Sequence, residues 1–239
     1  MDYYGNYKSL QYHAKHFFAP LAVSIENDGK NVRIFILNDT LESKSVELKL
    51  KVVDFDKGVL AEKVSTFALD KLSNLQAIDL KVKDLKKEYN LNNIALVCDL
   101  LIGGEVVNTK TLLFKYEKYL SLQKANVSVK CDVKDGVITL KLNTDKFARL
   151  VRLHDKVSTK PFSDNWFDLI PNEEKVVTLP YYEGFDVSNI ECFSSTDVEP
   201  KGSKLYDLMV KAKFILNPVN LAIYLGQPQT NFDYKERNE

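Results

Sequence analysis

The chain has 239 residues, 45% hydrophobic and 28% charged, enough apolar material for a sizeable core and most naturally for two domains of about 100 residues each. Lysine plus arginine equals aspartate plus glutamate at 33 each, so no global field recruits nucleic acid or another polyanion. No apolar run approaches the ~20 residues that span a bilayer, and no leader-like segment is legible, so neither nucleic acid nor a membrane is an expected partner and the expected location is cytoplasmic.

The first predicted element is a short helix. Leu10, Ala14, Phe17 and Phe18 recur at helical spacing and give one apolar stripe, and Pro20 ends the helix before an alternating run begins. A helix this short is marginal alone, and the Phe17-Phe18 pair is too apolar to leave in water, so the stripe is expected to pack on a surface outside the two β units.

Seven strands follow, predicted over 21–27, 31–38, 45–55, 59–69, 75–82, 94–102 and 105–115. Alternation is cleanest where Val46, Leu48, Leu50 and Val52 interleave with Glu47, Lys49 and Lys51. Asn27-Asp28-Gly29, Asp56-Lys57-Gly58 and Gly103-Gly104 supply turn residues able to adopt positive φ, and 84–89 predicts one helical turn. Strands at this spacing without long intervening helices predict an antiparallel sandwich. A second unit repeats the plan over 125–133, 137–143, 148–154, 175–179 and 187–194, and the junction KYEKYLSLQKA reads as a short rigid connection. From Gly202 onward Leu205, Leu208, Met209, Ala212, Ile215 and Leu216 return to helical spacing, which predicts a partly helical tail docked on the sandwich.

The cysteines, Cys98, Cys131 and Cys192, are odd in number and lack metal-type spacing. Cys131 and Cys192 both lie on apparent inward faces of the second unit. An antibody-type disulfide would also want a core tryptophan packed against it, whereas Trp166 stands in the polar context SDNWFD, so all three thiols are expected reduced.

The stretch KSLQYHAKHFFAPLAVSIE resembles the junction in β-mannosidase-type family 2 glycoside hydrolases, where the last helix of the catalytic barrel runs through K-x-L-x-Y-x-A-K-x-F-F-A-P into two immunoglobulin-like domains. Lys8, Leu10, Tyr12, Ala14, Lys15, Phe17, Phe18, Ala19 and Pro20 carry the resemblance, with Tyr7 where that family has tryptophan. Asn38-Asp39 and the run FSDNWFDLIPNEEKVVTL, Phe162 to Leu179, extend it. The resemblance implies an all-β chain: a junction helix over 1–20 closing a catalytic barrel that is missing here, immunoglobulin-like antiparallel sandwiches over 21–117 and 118–201, and the tail over 202–239. It further implies a parent enzyme that hydrolyses terminal β-mannosides with retention and without cofactor. This chain would be its non-catalytic accessory region, Tyr12, Phe17 and Phe18 would form the domain interface, and the partner would be the barrel of the same enzyme.

Retaining glycosidases need two carboxylates about 5 to 5.5 Å apart, with asparagine preceding the acid/base in the resembled family. Asn172-Glu173 matches that dipeptide, but Pro171 and the hydrophilic Glu174-Lys175 put it in a surface turn, where the glutamate is expected to be solvated and ordinary. No catalytic residue is assigned. His13 and His16 lie three apart on the helix but have no evident third ligand, so no metal is expected. The loop PFSDNWFDLIP holds the chain's only tryptophan: Trp166 and Phe167 can stack on sugar faces and Asp164 and Asn165 can bond hydroxyls, which makes it a candidate carbohydrate-binding loop. The bland reading is that its aromatic pair anchors the loop. Two further alternatives are an autonomous carbohydrate-binding module built on Trp166 and an assembly module that forms homo-oligomers through strand edges or the apolar helix.

Overall fold

The computed structural model describes residue 3 and residues 5–197; the predicted tail over 202–239 lies outside them. The described chain opens with helix α1 (Ser9–Phe17) and continues almost entirely as strands. Strands β1 (Leu21–Asn27), β2 (Asn31–Asn38) and β5 (Ser73–Lys81) form one antiparallel sheet, order β1-β2-β5. Strands β3 (Lys44–Asp54), β4 (Gly58–Leu69), β6 (Ile94–Ile102) and β7 (Glu105–Leu113) form a second, order β4-β3-β6-β7. The two sheets close on Val32, Ile34 and Ile36 of β2 and Val46, Leu48, Leu96, Cys98 and Leu100 of β3 and β6. Helix α2 (Val82–Glu88) joins β5 to β6.

The second sandwich packs β12 (Lys175–Pro180), β9 (Val137–Thr144) and β8 (Val127–Lys134), order β12-β9-β8, against β11 (Phe167–Leu169), β10 (Ala148–Asp155) and β13 (Ile190–Phe193), order β11-β10-β13. Ile138, Leu140 and Leu142 meet Val151, Leu153, Leu169, Val177 and Leu179 in its core. Strand β11 was not anticipated from sequence. It is only three residues long, and it starts straight after Trp166, whose φ of 61° reads locally as a turn. Another departure is the predicted strand over 187–194, whose first turn is a 3-10 segment, Val187–Asn189, ahead of β13. Cys131 and Cys192 fall in opposite sheets, and all three cysteines are free; burial pushes the Cys98 thiol up to about 12 and the Cys192 thiol up to about 11.

The two sandwiches share a third apolar cluster. Val53, Phe55, Ala95 and Val97, on the outer face of the four-stranded sheet, pack against Phe147 and Ile170 of the second unit, with Leu120 and Leu122 of the connecting segment at its margin. Burial on both faces of β6 follows, and it accounts for that strand's unbroken apolar run. The Phe55 and Phe147 rings lie 5.2 Å apart, and the Phe147 N–H donates to the Phe55 carbonyl at 2.8 Å. Gly58 completes the fit: a Cβ there would come within 2.9 Å of the Pro171 carbonyl oxygen, and its φ of 82° is one that side chains avoid.

Candidate functional site

The apolar stripe of α1, expected to pack on a surface outside the two β units, faces solvent. Leu10 is 69%, Phe17 51% and Phe18 80% exposed, and the two phenylalanine rings lean on each other at 4.7 Å. The opposite face holds the helix down. Tyr12 is buried and hydrogen-bonded to the Asn165 side chain and to the Phe162 backbone; burial pushes its phenol up and those bonds partly offset the rise. His16 Nε2 lies 2.9 Å from Asp164 Oδ1, and Lys15 Nζ donates to the Ser163 carbonyl at 3.0 Å. From the first sandwich, Asn108 of β7 donates to the His16 carbonyl at 2.9 Å and accepts from the Val23 N–H at 3.1 Å, which ties the helix end to β1. Helix α1 is thus fastened by its polar face to both sandwiches while its apolar face looks outward. Sequence periodicity locates the stripe but carries no signal of which side is covered; Asn108, ninety-two residues from His16, was not foreseen.

The Trp166 loop is built from those same bonds. Asn165, buried, accepts from the Leu153 N–H and donates to the Leu153 carbonyl, both at 2.8 Å, and so substitutes for a strand pairing beside β10. Asp164 receives Lys175 at 2.8 Å as well as His16. Although burial alone would raise its pKa, the His16 bond and the Lys175 charge hold its carboxyl down to about 2. The side chains of Asp164 and Asn165 are therefore spent on the fold. Phe167 is half-buried under Lys175, whose ammonium sits 5.1 Å from the ring centre, and Trp166 is half-buried under the Arg152 guanidinium at 5.7 Å.

Glu173 follows the expected turn with its side chain 37% exposed, but it has a partner that the turn signal does not show. Both its carboxylate oxygens accept from Lys51 Nζ at 2.8 Å, and the same ammonium lies 3.0 Å from Asp99 on β6; side-chain exposures are 7%, 10% and 37% for Lys51, Asp99 and Glu173. Thr109 donates a further bond to Asp99 at 2.7 Å. Burial alone would push Lys51 down, but Glu173 and Asp99 outweigh it and hold its pKa above the usual lysine value. These two carboxylates are bridged by a cation inside the domain junction, an arrangement that ties domains together and leaves no open position for a sugar. The turn signal Pro171-Asn172 was legible, but the lysine 122 residues earlier that it meets was not.

Partial burial, followed by the proximity of His16, pushes His13 down, and no cluster of three or more metal-ligating side chains occurs among the described residues. Asp168 braces the bulge of β10 instead: it accepts from Arg149 Nη1 at 2.8 and 3.0 Å and from the N–H of Leu150, whose φ is 50°.

Sheet order and the shared apolar junction define a pair of tandem immunoglobulin-like sandwiches, packed on each other and carrying a helix with its apolar side exposed. The Mannosidase Ig/CBM-like domain family matches residues 30–119, and the Ig-fold domain family of the mannosidases matches residues 122–190. The two domains belong to immunoglobulin-like domain families of the C-terminal region of family 2 glycoside hydrolases. Among solved structures it is similar to the β-D-mannosidase of Dictyoglomus thermophilum, at 19% identity and a TM-score of 0.69 over 82% of this chain and 24% of that one. It is also similar to an exo-chitosanase of Amycolatopsis orientalis, at 15% identity and a TM-score of 0.57 over 82% of this chain and 29% of the other. The chain thus spans about a quarter of the length of these proteins. No curated protein matches it in sequence.

Proposed function

We propose that this chain is the non-catalytic accessory region of a β-mannosidase-like glycoside hydrolase, and that it buttresses the catalytic barrel through the Leu10, Phe17 and Phe18 stripe of α1. The observation that carries the reading is the inverted seating of that helix. A nine-residue helix gains little from propensity alone, yet here hydrogen bonds from both sandwiches hold its polar face and leave three large apolar side chains in water. Contiguous apolar surface of this kind marks a protein contact. The likeness to a β-D-mannosidase supports β-mannoside hydrolysis as the activity of the assembled enzyme, with both reacting carboxylates supplied by the barrel. The three free thiols suit a reducing compartment, and we assign the cytoplasm.

The test is hydrolysis of a chromogenic β-mannoside, with a chromogenic β-glucosaminide in parallel because of the exo-chitosanase likeness. Each is assayed with this chain alone, with its separately produced barrel, and with the two mixed. Turnover of the mannoside that the mixture raises well above the barrel alone supports the reading. Turnover by this chain alone overturns the non-catalytic assignment, and preference for the glucosaminide overturns the substrate.

A further inference from the structure

Where the segment ahead of α1 crosses the outer face of β10, it leaves a shallow cleft open to solvent. Its walls include Tyr7, Trp166, Arg152, His154, Ser158 and Lys160. The period of β10 places them there: Val151, Leu153 and Asp155 turn into the core, which sends Arg152 and His154 outward beside Trp166. Charge in the cleft is one-sided. The guanidinium of Arg152, on an exposed position of β10, lies 5.7 Å from the Trp166 ring centre, and no ion pair of Arg152 occurs among the described residues. Asp155, the carboxylate in the wall, is buried and already accepts from the Tyr182 hydroxyl and from the N–H groups of Val157 and Ser158. Glu191, which faces His154 from β13, pairs with Lys156 at 2.9 Å. Lys160 donates to the Tyr181 carbonyl at 2.9 Å.

A half-buried tryptophan, a tyrosine 42% exposed, several hydroxyl and ring nitrogen partners and an uncompensated arginine together suit one ligand chemistry. Aromatic side chains take the apolar face of a pyranose, and guanidinium takes a planar or tetrahedral oxyanion in bidentate fashion. We propose that this cleft binds a saccharide bearing a carboxylate or sulfate group, its ring laid on Tyr7 and Trp166 and its anion held by Arg152. The site lies away from the Leu10, Phe17 and Phe18 stripe and does not depend on the accessory reading. It keeps Trp166 as a stacking residue and moves the polar contact from Asp164 and Asn165, which serve the fold, to Arg152, which sequence spacing did not group with it.

Trp166 is the chain's only tryptophan, so its fluorescence reports the site directly. The chain is titrated with trigalacturonate, with a sulfated disaccharide and with neutral mannotriose, and the affinities are repeated by calorimetry. At least one of the two anionic sugars is expected to give a saturable change, with mannotriose weaker by about tenfold or more. Arg152→Gln, a change at an exposed position that leaves the core intact, is expected to remove most of that difference, whereas Phe17→Ser is expected to leave it unaltered. Which anionic sugar binds identifies the oxyanion. Mannotriose binding as tightly as the anionic sugars, unchanged affinity in Arg152→Gln, or no saturable change with any of the three would overturn the proposal.

Discussion

Asp164 concentrates the balance of forces at single residues. Burial opposes its charge, His16 and Lys175 favour it, and the partners win, leaving the carboxyl at about 2. Because the folded value lies below the unfolded one, the stabilisation is present above roughly pH 4 and disappears as pH falls toward 2; it is worth about 2 kcal/mol. Asp164→Asn is therefore expected to lower stability by about that amount at pH 7, and to flatten the dependence of stability on pH between 4 and 2 in denaturant titrations. Lys51 has the opposite sign. Its raised pKa means that the contribution from the Lys51 titration is fully present below the unfolded lysine value and is lost as pH climbs past about 10.5. Lys51→Ala strands Asp99 as a buried charge and should cost about 3–5 kcal/mol by denaturant midpoint, more than the loss of any exposed pair such as Lys87 with Asp84.

At the scale of elements, α1 is the informative case. Replacing both Phe17 and Phe18 with serine removes side chains that touch little of this chain, so stability should change by less than about 0.5 kcal/mol while solubility improves; thermal scans and light scattering check both. Loss of cooperative unfolding would instead place the stripe in the core. The strands were legible wherever two signals coincided. Strands β1, β2 and β6 end where the sequence reading put them, because turn residues such as Asn27-Asp28-Gly29 and Gly103-Gly104 flank clear apolar patterns. Strand β11 escaped because three residues are too few to display a period. The polar character of the loop over 161–171 was legible, but the roles within it were not: Asp164 and Asn165 bond to His16, Lys175 and Leu153, partners set by tertiary packing alone. A signal for the domain junction was present and passed over. The doublet Val52-Val53 breaks the alternation of β3, and the continuous run of β6 marks a strand covered on both faces.

The whole molecule behaves, on this account, as one body made of two sandwiches. Phe147 is fully buried in the junction beside Phe55, and the Lys51 triad and the clasped helix reinforce it from either side. Phe147→Ala should cost about 3–5 kcal/mol, and the unfolding reported by Trp166 in the second sandwich, expected to coincide with that reported by far-ultraviolet dichroism in the unsubstituted chain, should separate from it in this variant. Rigidity of this kind suits a buttress, since a fixed frame presents α1 at one angle. The most direct measurement is the affinity of this chain for its catalytic barrel, by sedimentation or calorimetry, for the natural sequence and for the Phe17→Ser, Phe18→Ser double variant. The account predicts a stable complex with the natural sequence and at least about a hundredfold weaker association for the variant, given two large apolar anchors lost from one contact. Equal affinity for both chains, or no complex with either, would contradict it.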